Sequence, residues 1–415
     1  MRLRQPWLEK FALYSLLPAM VLGLSGCGGS SSSSTSTTPP TPVNNTQAVE
    51  VNFGPANNYT NGLFTDVTIC VPGTTNCQTI PNVLVDSGAE GLRLLSSAVT
   101  LTLPTVTDNS SNTLQECYGF ADGSYVWGPV AGADIQMAGE KASSVPIQLI
   151  SDSSQFPVPS ACTSGGGSNE NTVAALGANG ILGIGNFRQD CGSGCASTSN
   201  PQALYYLCPN SVCQVASVPL AYQLQNPVWM FPQDNNGVLI SLPAIPDTGA
   251  QTVPGSLIFG IGTQTDNALG SAQVYTTDAS GDFQAVYNNI AYSNSYIDSG
   301  SNALYFLDSG TLGIPDCTDN PGWYCPGSTV SYTVTNTGLN GTSGPVSFNI
   351  ANADALFLAN SGNNAAFNNL GADSGTGTSS DYVDYGLPFF YGRNVFVGIE
   401  NQPGPNGAVG PYWAY

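Results

Sequence analysis

The tripeptide Asp-Ser/Thr-Gly occurs five times in the chain, at Asp86, Asp247, Asp298, Asp308 and Asp373. Aspartate is a general acid or base, and the glycine lets the backbone turn tightly beneath the carboxylate. The chain contains no histidine. That excludes Ser-His-Asp and Cys-His catalysis, histidine general bases and the usual zinc hydrolases. If the protein is a hydrolase, carboxylates are the best remaining acid/base groups. Two carboxyls brought close together cannot both ionise easily. They share one proton, so one can activate a water while the other donates a proton.

Context separates the five copies. Asp373 lies in a polar Gly/Thr/Ser run and reads as loop. Asp247 follows Pro246 and reads as a turn leading into GSLIFG. Asp308 leads into TLGIPDC, where Pro315 and Cys317 indicate a loop. Asp86 sits in VLVDSGAEGLRLL (83–95) and Asp298 in SYIDSGSNALYFL (295–307). These two have β-type residues before them and an apolar run soon after, Leu92–Leu95 and Leu304–Leu307. Each reads as strand, tight turn, strand.

The elements around them are short. From residue 48 onward, apolar or alternating runs are broken by Gly, Pro and Asn: AVEVNF, LFTDVTICV, NVLVD, VPIQLI, then GVLISL, AQVYTT, TVSYTV and NVFVGIE. That spacing predicts a mostly β body. No long amphipathic helix is evident, and only NADALFLAN (352–360) suits a helical turn or two. SGGGSNEN (164–171) and GADSGTGTSSD (371–381) read as surface loops. PAIPDTGAQTVPG marks a lobe boundary, giving lobes at 48–248 and 249–415.

With Asp86 and Asp298 212 residues apart, one in each lobe, the sequence resembles the pepsin-like aspartic proteases. Other matches follow in that family's order. CYGFADGSYVWGPVAGADIQMAG (117–139) looks like the flap hairpin. NGILGIG (179–185) resembles the element packed behind the first turn. GSLIFGIG (255–262) resembles a strand early in the second lobe. VDYGLPFFYGRNVFVGIEN (383–401) resembles the closing element, with Gly386 as its buried glycine. The resemblance covers residues 48–401 and implies a bilobal, mostly β acid-protease fold with a central cleft. It implies that Asp86 and Asp298 are the catalytic pair. It also implies that Ser87, Gly88, Ser299, Gly300 and Ser301 support them, with Ser87 and Ser299 bonding across to the opposite turn.

Two positions depart from the family pattern. Ala89 stands where pepsin-like enzymes usually place Ser or Thr, although retroviral-type relatives place Ala there; Ser301 keeps the hydroxyl in the second copy. In the flap, Tyr118 fits as Tyr-Gly. Phe120, with Asp122 and Gly123, fits the flap better by spacing and puts Phe where Tyr belongs.

Ahead of this body stands a basic n-region with Arg2, Arg4 and Lys10, an apolar run (11–24) and LSGC (24–27). It reads as a signal peptide over 1–26, and about 14 apolar residues are too few to span a bilayer. It resembles a bacterial lipoprotein signal, which implies lipidation at Cys27. Residues 27–47 form a Ser/Thr/Pro-rich tether. No Asp follows Cys27, so a cell-envelope location at the outer membrane is favoured. Loss of residues 1–26 removes three of seven cations and one of 27 acids, leaving Arg93, Lys141, Arg188 and Arg393 against 26 acids. That balance argues against nucleic acid and against electrostatic attachment to anionic lipid.

Of eleven cysteines, ten remain beside Cys27. In an exported protein they read as up to five disulfides. Close neighbours (Cys70/Cys77, Cys191/Cys195, Cys208/Cys213, Cys317/Cys325) are natural partners, which leaves Cys117 and Cys162. Spacing alone does not fix the pairing. The spacing is also too loose for zinc. No metal or cofactor is expected. Two readings follow: a monomeric, lipid-anchored aspartic endopeptidase acting on peptide or protein, or a catalytically silent binding protein on the same fold.

Overall fold

The computed structural model describes residues 44–151, 156–374 and 382–415. The signal sequence, Cys27 and the tether through residue 43 lie outside the described residues, as does 375–381.

The body is two β-rich lobes, as the run spacing predicts. The first lobe is built on long strands with apolar residues facing inward. Gly62–Cys70 and Cys77–Asp86 form an antiparallel pair, with Cys70 opposite Cys77 and disulfide-bonded to it. Tyr125–Met137 and Glu140–Ile150 form the next pair. Val67, Ile69, Val83, Val85, Leu92, Ile135 and Ile147 fill the space between them, each at most 1 % exposed. The second lobe has a seven-stranded sheet whose core includes Phe283, Ile297, Phe306, Val334 and Tyr385.

A shared sheet joins the lobes. Thr46–Asn52 pairs with Val253–Phe259, which pairs with Gly237–Leu242, then Arg393–Gly398, Tyr412–Ala414 and Val274–Thr276. The Pro-rich stretch holding residues 248 and 249 is the connection between two paired strands of this sheet, Gly237–Leu242 and Val253–Phe259. The first and last described strands and the chain middle therefore meet in this sheet.

One local arrangement occurs twice. Cys77–Asp86 lies parallel to Gly180–Ile184, which runs antiparallel to Glu90–Leu95. In the second lobe Ile290–Ile297 lies parallel to Val383–Tyr385, which runs antiparallel to Leu304–Phe306. A strand threads between the two arms of each Asp-Ser-Gly turn. Strands paired on both edges and covered on both faces are apolar throughout, which explains the continuous runs in VLV and GILGI. The helices are short: Ala353–Leu358 starts at Asn352, whose side chain accepts the Ala355 N–H at 2.9 Å. All ten described cysteines are paired: Cys70–Cys77, Cys117–Cys162, Cys191–Cys195, Cys208–Cys213 and Cys317–Cys325.

Candidate active site

The two threaded turns meet across the lobe interface. The Ser87 N–H donates to Ser299 Oγ at 3.0 Å, and the Ser299 N–H donates to Ser87 Oγ at 2.9 Å. Ser299 Oγ–H donates in turn to the Val85 carbonyl at 2.8 Å. Both serines are fully buried. A buried hydroxyl must find partners, and here each finds them in the other lobe. The turns are thus locked at a fixed separation.

The glycines set that separation. A Cβ on Gly88 would lie 2.6 Å from Cγ of Asp298, and one on Gly300 would lie 2.6 Å from Cγ of Asp86. Only glycine permits this approach. Each carboxylate also accepts a hydrogen bond from its own turn, Gly88 N–H to Asp86 Oδ1 and Gly300 N–H to Asp298 Oδ1, both at 2.7 Å. Both aspartates are buried and their carboxyls hydrogen-bond each other.

The pair is asymmetric. Burial raises Asp86 to about 7, and the neighbouring Asp298 charge acts in the same direction. Burial also opposes ionisation of Asp298, whereas hydrogen bonds from Ser301 and Asp86 favour its charged form. Ser301 Oγ–H donates to Asp298 Oδ2 at 2.8 Å. Position 89, its counterpart, is a buried alanine with no hydroxyl to offer. Ser301 Oγ also lies 2.7 Å from Asp384 Oδ2, and Asp384 is buried as well.

The elements behind the turns depend on glycine. A Cβ on Gly386 would lie 2.1 Å from the Ala303 carbonyl oxygen, and one on Gly185 would lie 2.9 Å from the Ala89 carbonyl oxygen. Gly386 is the buried glycine expected from the sequence.

The flap hairpin joins Leu114–Gly119 to Tyr125–Met137. Its tip closes with Phe120 N–H to Ser124 O at 2.7 Å and Gly123 N–H to Phe120 O at 3.0 Å, with Gly123 at φ +86°. Asp122 is exposed and accepts from Ser124 N–H and Oγ–H at 3.0 and 2.6 Å. Phe120 is the tip aromatic. Tyr118 is buried two residues earlier, edge-on to Phe120 and packed in one apolar cluster with Ala89.

Sequence reasoning missed three features. Tyr59 is half-buried and wedged between Gly62 and Gly177, where a Cβ would meet its ring at 2.6 and 2.4 Å. Its hydroxyl donates to the Gly300 carbonyl at 3.5 Å, and burial, then the charges of Asp86, Asp298 and Asp122, raise its phenol. Arg93 is fully buried, donates to Glu116 at 2.6 Å and Asp190 at 2.9 Å, and stacks 3.7 Å over the Tyr118 ring. Asp384 is the third. An arginine inside GLRLL and an aspartate inside VDYGLPFF were the available signals, since charges are rarely buried unpaired. Tyr59, in NNYTNG, had none.

The other three copies do not approach the pair. Asp308 caps the helix Ser309–Leu312 by accepting the Thr311 N–H at 2.9 Å. Asp247 lies in a turn held by Gly249 N–H to Pro246 O at 2.9 Å. Asp373 accepts from Ser309 N–H at 3.4 Å.

Two β lobes, each presenting one Asp-Ser-Gly turn at their junction, define a bilobal fold of the pepsin-like type. A family model described as "Protein of unknown function (DUF3443)" matches residues 41–415, and the chain belongs to that family. No curated protein matches the chain. Among solved structures it is similar to the aspartic proteinase from Irpex lacteus, with a TM-score of 0.51 and 12 % identity, covering 89 % of this chain and 96 % of that one. At that identity the likeness is one of fold.

Proposed function

We propose that the protein is an aspartic endopeptidase, exported and anchored to the bacterial cell envelope through Cys27, with the outer membrane favoured. The observation that carries the reading is the reciprocal contact of Gly88 with Asp298 and Gly300 with Asp86. It sets two buried carboxyls to share a proton. Asp298, whose charged form accepts the Ser301 hydroxyl, is the base that activates water. Asp86, with its raised pKa, is the acid that protonates the departing amine. No cofactor or metal enters this chemistry, and the chain acts as a monomer on peptide or protein.

A second reading, a silent binding protein on the same fold, draws on Ala89 and on Phe120 at the flap tip. One assay separates the two. The mature chain, disulfides formed, is incubated with unfolded protein across acidic to neutral pH. The enzyme reading expects cleavage that a statine-type inhibitor blocks and that both Asp86→Asn and Asp298→Asn lower by at least about 100-fold. A folded protein that cleaves nothing at any pH supports the silent reading.

A further inference from the structure

The glycine-rich stretch SGGGSNEN is more than a surface loop. It lies directly on the flap. A Cβ on Gly165 would fall 2.7 Å from the Gly123 carbonyl oxygen, and one on Gly167 would fall 2.4 Å from the Ser124 nitrogen. At Gly165 and Gly123 backbone meets backbone because neither residue carries a side chain. Gly167 N–H donates to Gly123 O at 3.1 Å, Tyr125 N–H to Ser168 O at 3.0 Å, and Glu170 N–H to Tyr125 O at 2.8 Å. The Cys117–Cys162 disulfide ties the same segment to the first flap strand. Trp127, on the second flap strand, is fully buried and donates its indole N–H to Phe156 O at 3.1 Å.

The opposite edge is braced too. Leu114–Gly119 pairs with Tyr205–Leu207, which pairs with Gln214–Val215. Cys208–Cys213 closes that last connection. A lone two-stranded hairpin is marginal in water, and a moving lid needs few buried contacts and few fixed backbone bonds. This hairpin is part of a larger sheet, and the segment across its tip is anchored covalently at Cys117.

We propose that residues 156–170 fix the flap as a rigid roof, so that the cleft takes only linear, unfolded polypeptide threaded beneath it. Gly165, Gly167 and the Cys117–Cys162 pair are the positioning residues. The inference rests on the endopeptidase reading for its substrate class, but the rigidity stands without it. A folded loop needs the roof to lift, and its apparent affinity falls with the fraction of molecules in which the roof is open.

The test has two arms, applied to the mature chain, to Cys117→Ala/Cys162→Ala and, in case that variant misfolds, to Gly165→Ala/Gly167→Ala. In the first arm, amide hydrogen exchange is read over 119–125. We expect strong protection in the wild type and exchange at least about tenfold faster in a variant that keeps its far-UV spectrum. In the second arm, one cleavable sequence is offered as a linear peptide and as a loop in a folded carrier. The wild type should cleave the peptide alone, and the variants should narrow that preference by about tenfold. Wild-type flap amides exchanging like exposed loops overturn the proposal. So does an unchanged preference in a folded variant. Protected flap amides with neither substrate cleaved leave the strap standing and count against the endopeptidase reading.

Discussion

Gly88 of the first lobe lies against Asp298 of the second so closely that a Cβ at 88 would stand 2.6 Å from the Asp298 Cγ. Gly300 bears the same relation to Asp86. The spacing of the aspartate pair is therefore set by what two residues lack. Gly88→Ala or Gly300→Ala should cost about 1–3 kcal/mol, the usual range for forcing a methyl into a packed site. Activity should fall by more than that stability loss explains, because the carboxyls are pushed apart. Urea midpoints and kcat on one peptide, measured together, check this.

The raised pKa of Asp86 has a sign for stability. Its ordinary value is 3.8 and its folded value about 7. Between those limits the native protein holds a proton that the unfolded chain releases, so this group's contribution to stability falls as pH rises through the window. Peptidase activity should also decline above about pH 7, where Asp86 loses the proton it donates. Melting temperatures across that range should show a smaller alkaline fall in Asp86→Asn than in the wild type. Equal falls in both count against the assignment.

Ala89 and Ser301 hold equivalent positions, yet only Ser301 carries a hydroxyl. Ala89→Ser should supply the missing bond to ionised Asp86, lower its pKa and move the alkaline limb of the activity profile to lower pH. Ser301→Ala should raise Asp298 and move the acid limb up. The two limbs should respond separately, which a change in overall fold would not produce.

Arg93 hydrogen-bonds two buried acids, Glu116 and Asp190, and its guanidinium covers Tyr118. Burial first, then the Glu116 charge, hold Asp190 well above the usual carboxylate range. Arg93→Met strands those acids and should cost about 3–5 kcal/mol in urea unfolding. Arg93→Lys should rescue only part of it, since an ammonium lacks the planar fork and the stacking face.

Much of this was legible in the sequence. Five similar tripeptides reduce to two by local context alone, because strand and turn chemistry are properties of neighbouring residues. The helix at NADALFLAN was legible for the same reason, whereas the buried Gly386 was expected only from the resemblance to the pepsin-like proteases. The strap was not. SGGGSNEN has the composition of a free loop, and only its packing on Gly123 distinguishes it from one. Glu116 and Asp190 lie 23 and 97 residues from Arg93, and nothing local links them.

The sequence by itself determined the β character of the body, the two Asp-Ser-Gly turns and the absence of histidine chemistry. Close spacing also suggested four of the disulfides. Tertiary structure alone decided that Ser87 and Ser299 clasp each other and that Asp384 reaches Ser301. It alone decided that a glycine-rich segment seals the flap. The physical reason is range. Alternation and turn preference act over a few residues, whereas a buried hydrogen bond needs its partner's position, and that is fixed by the pairing of strands hundreds of residues apart.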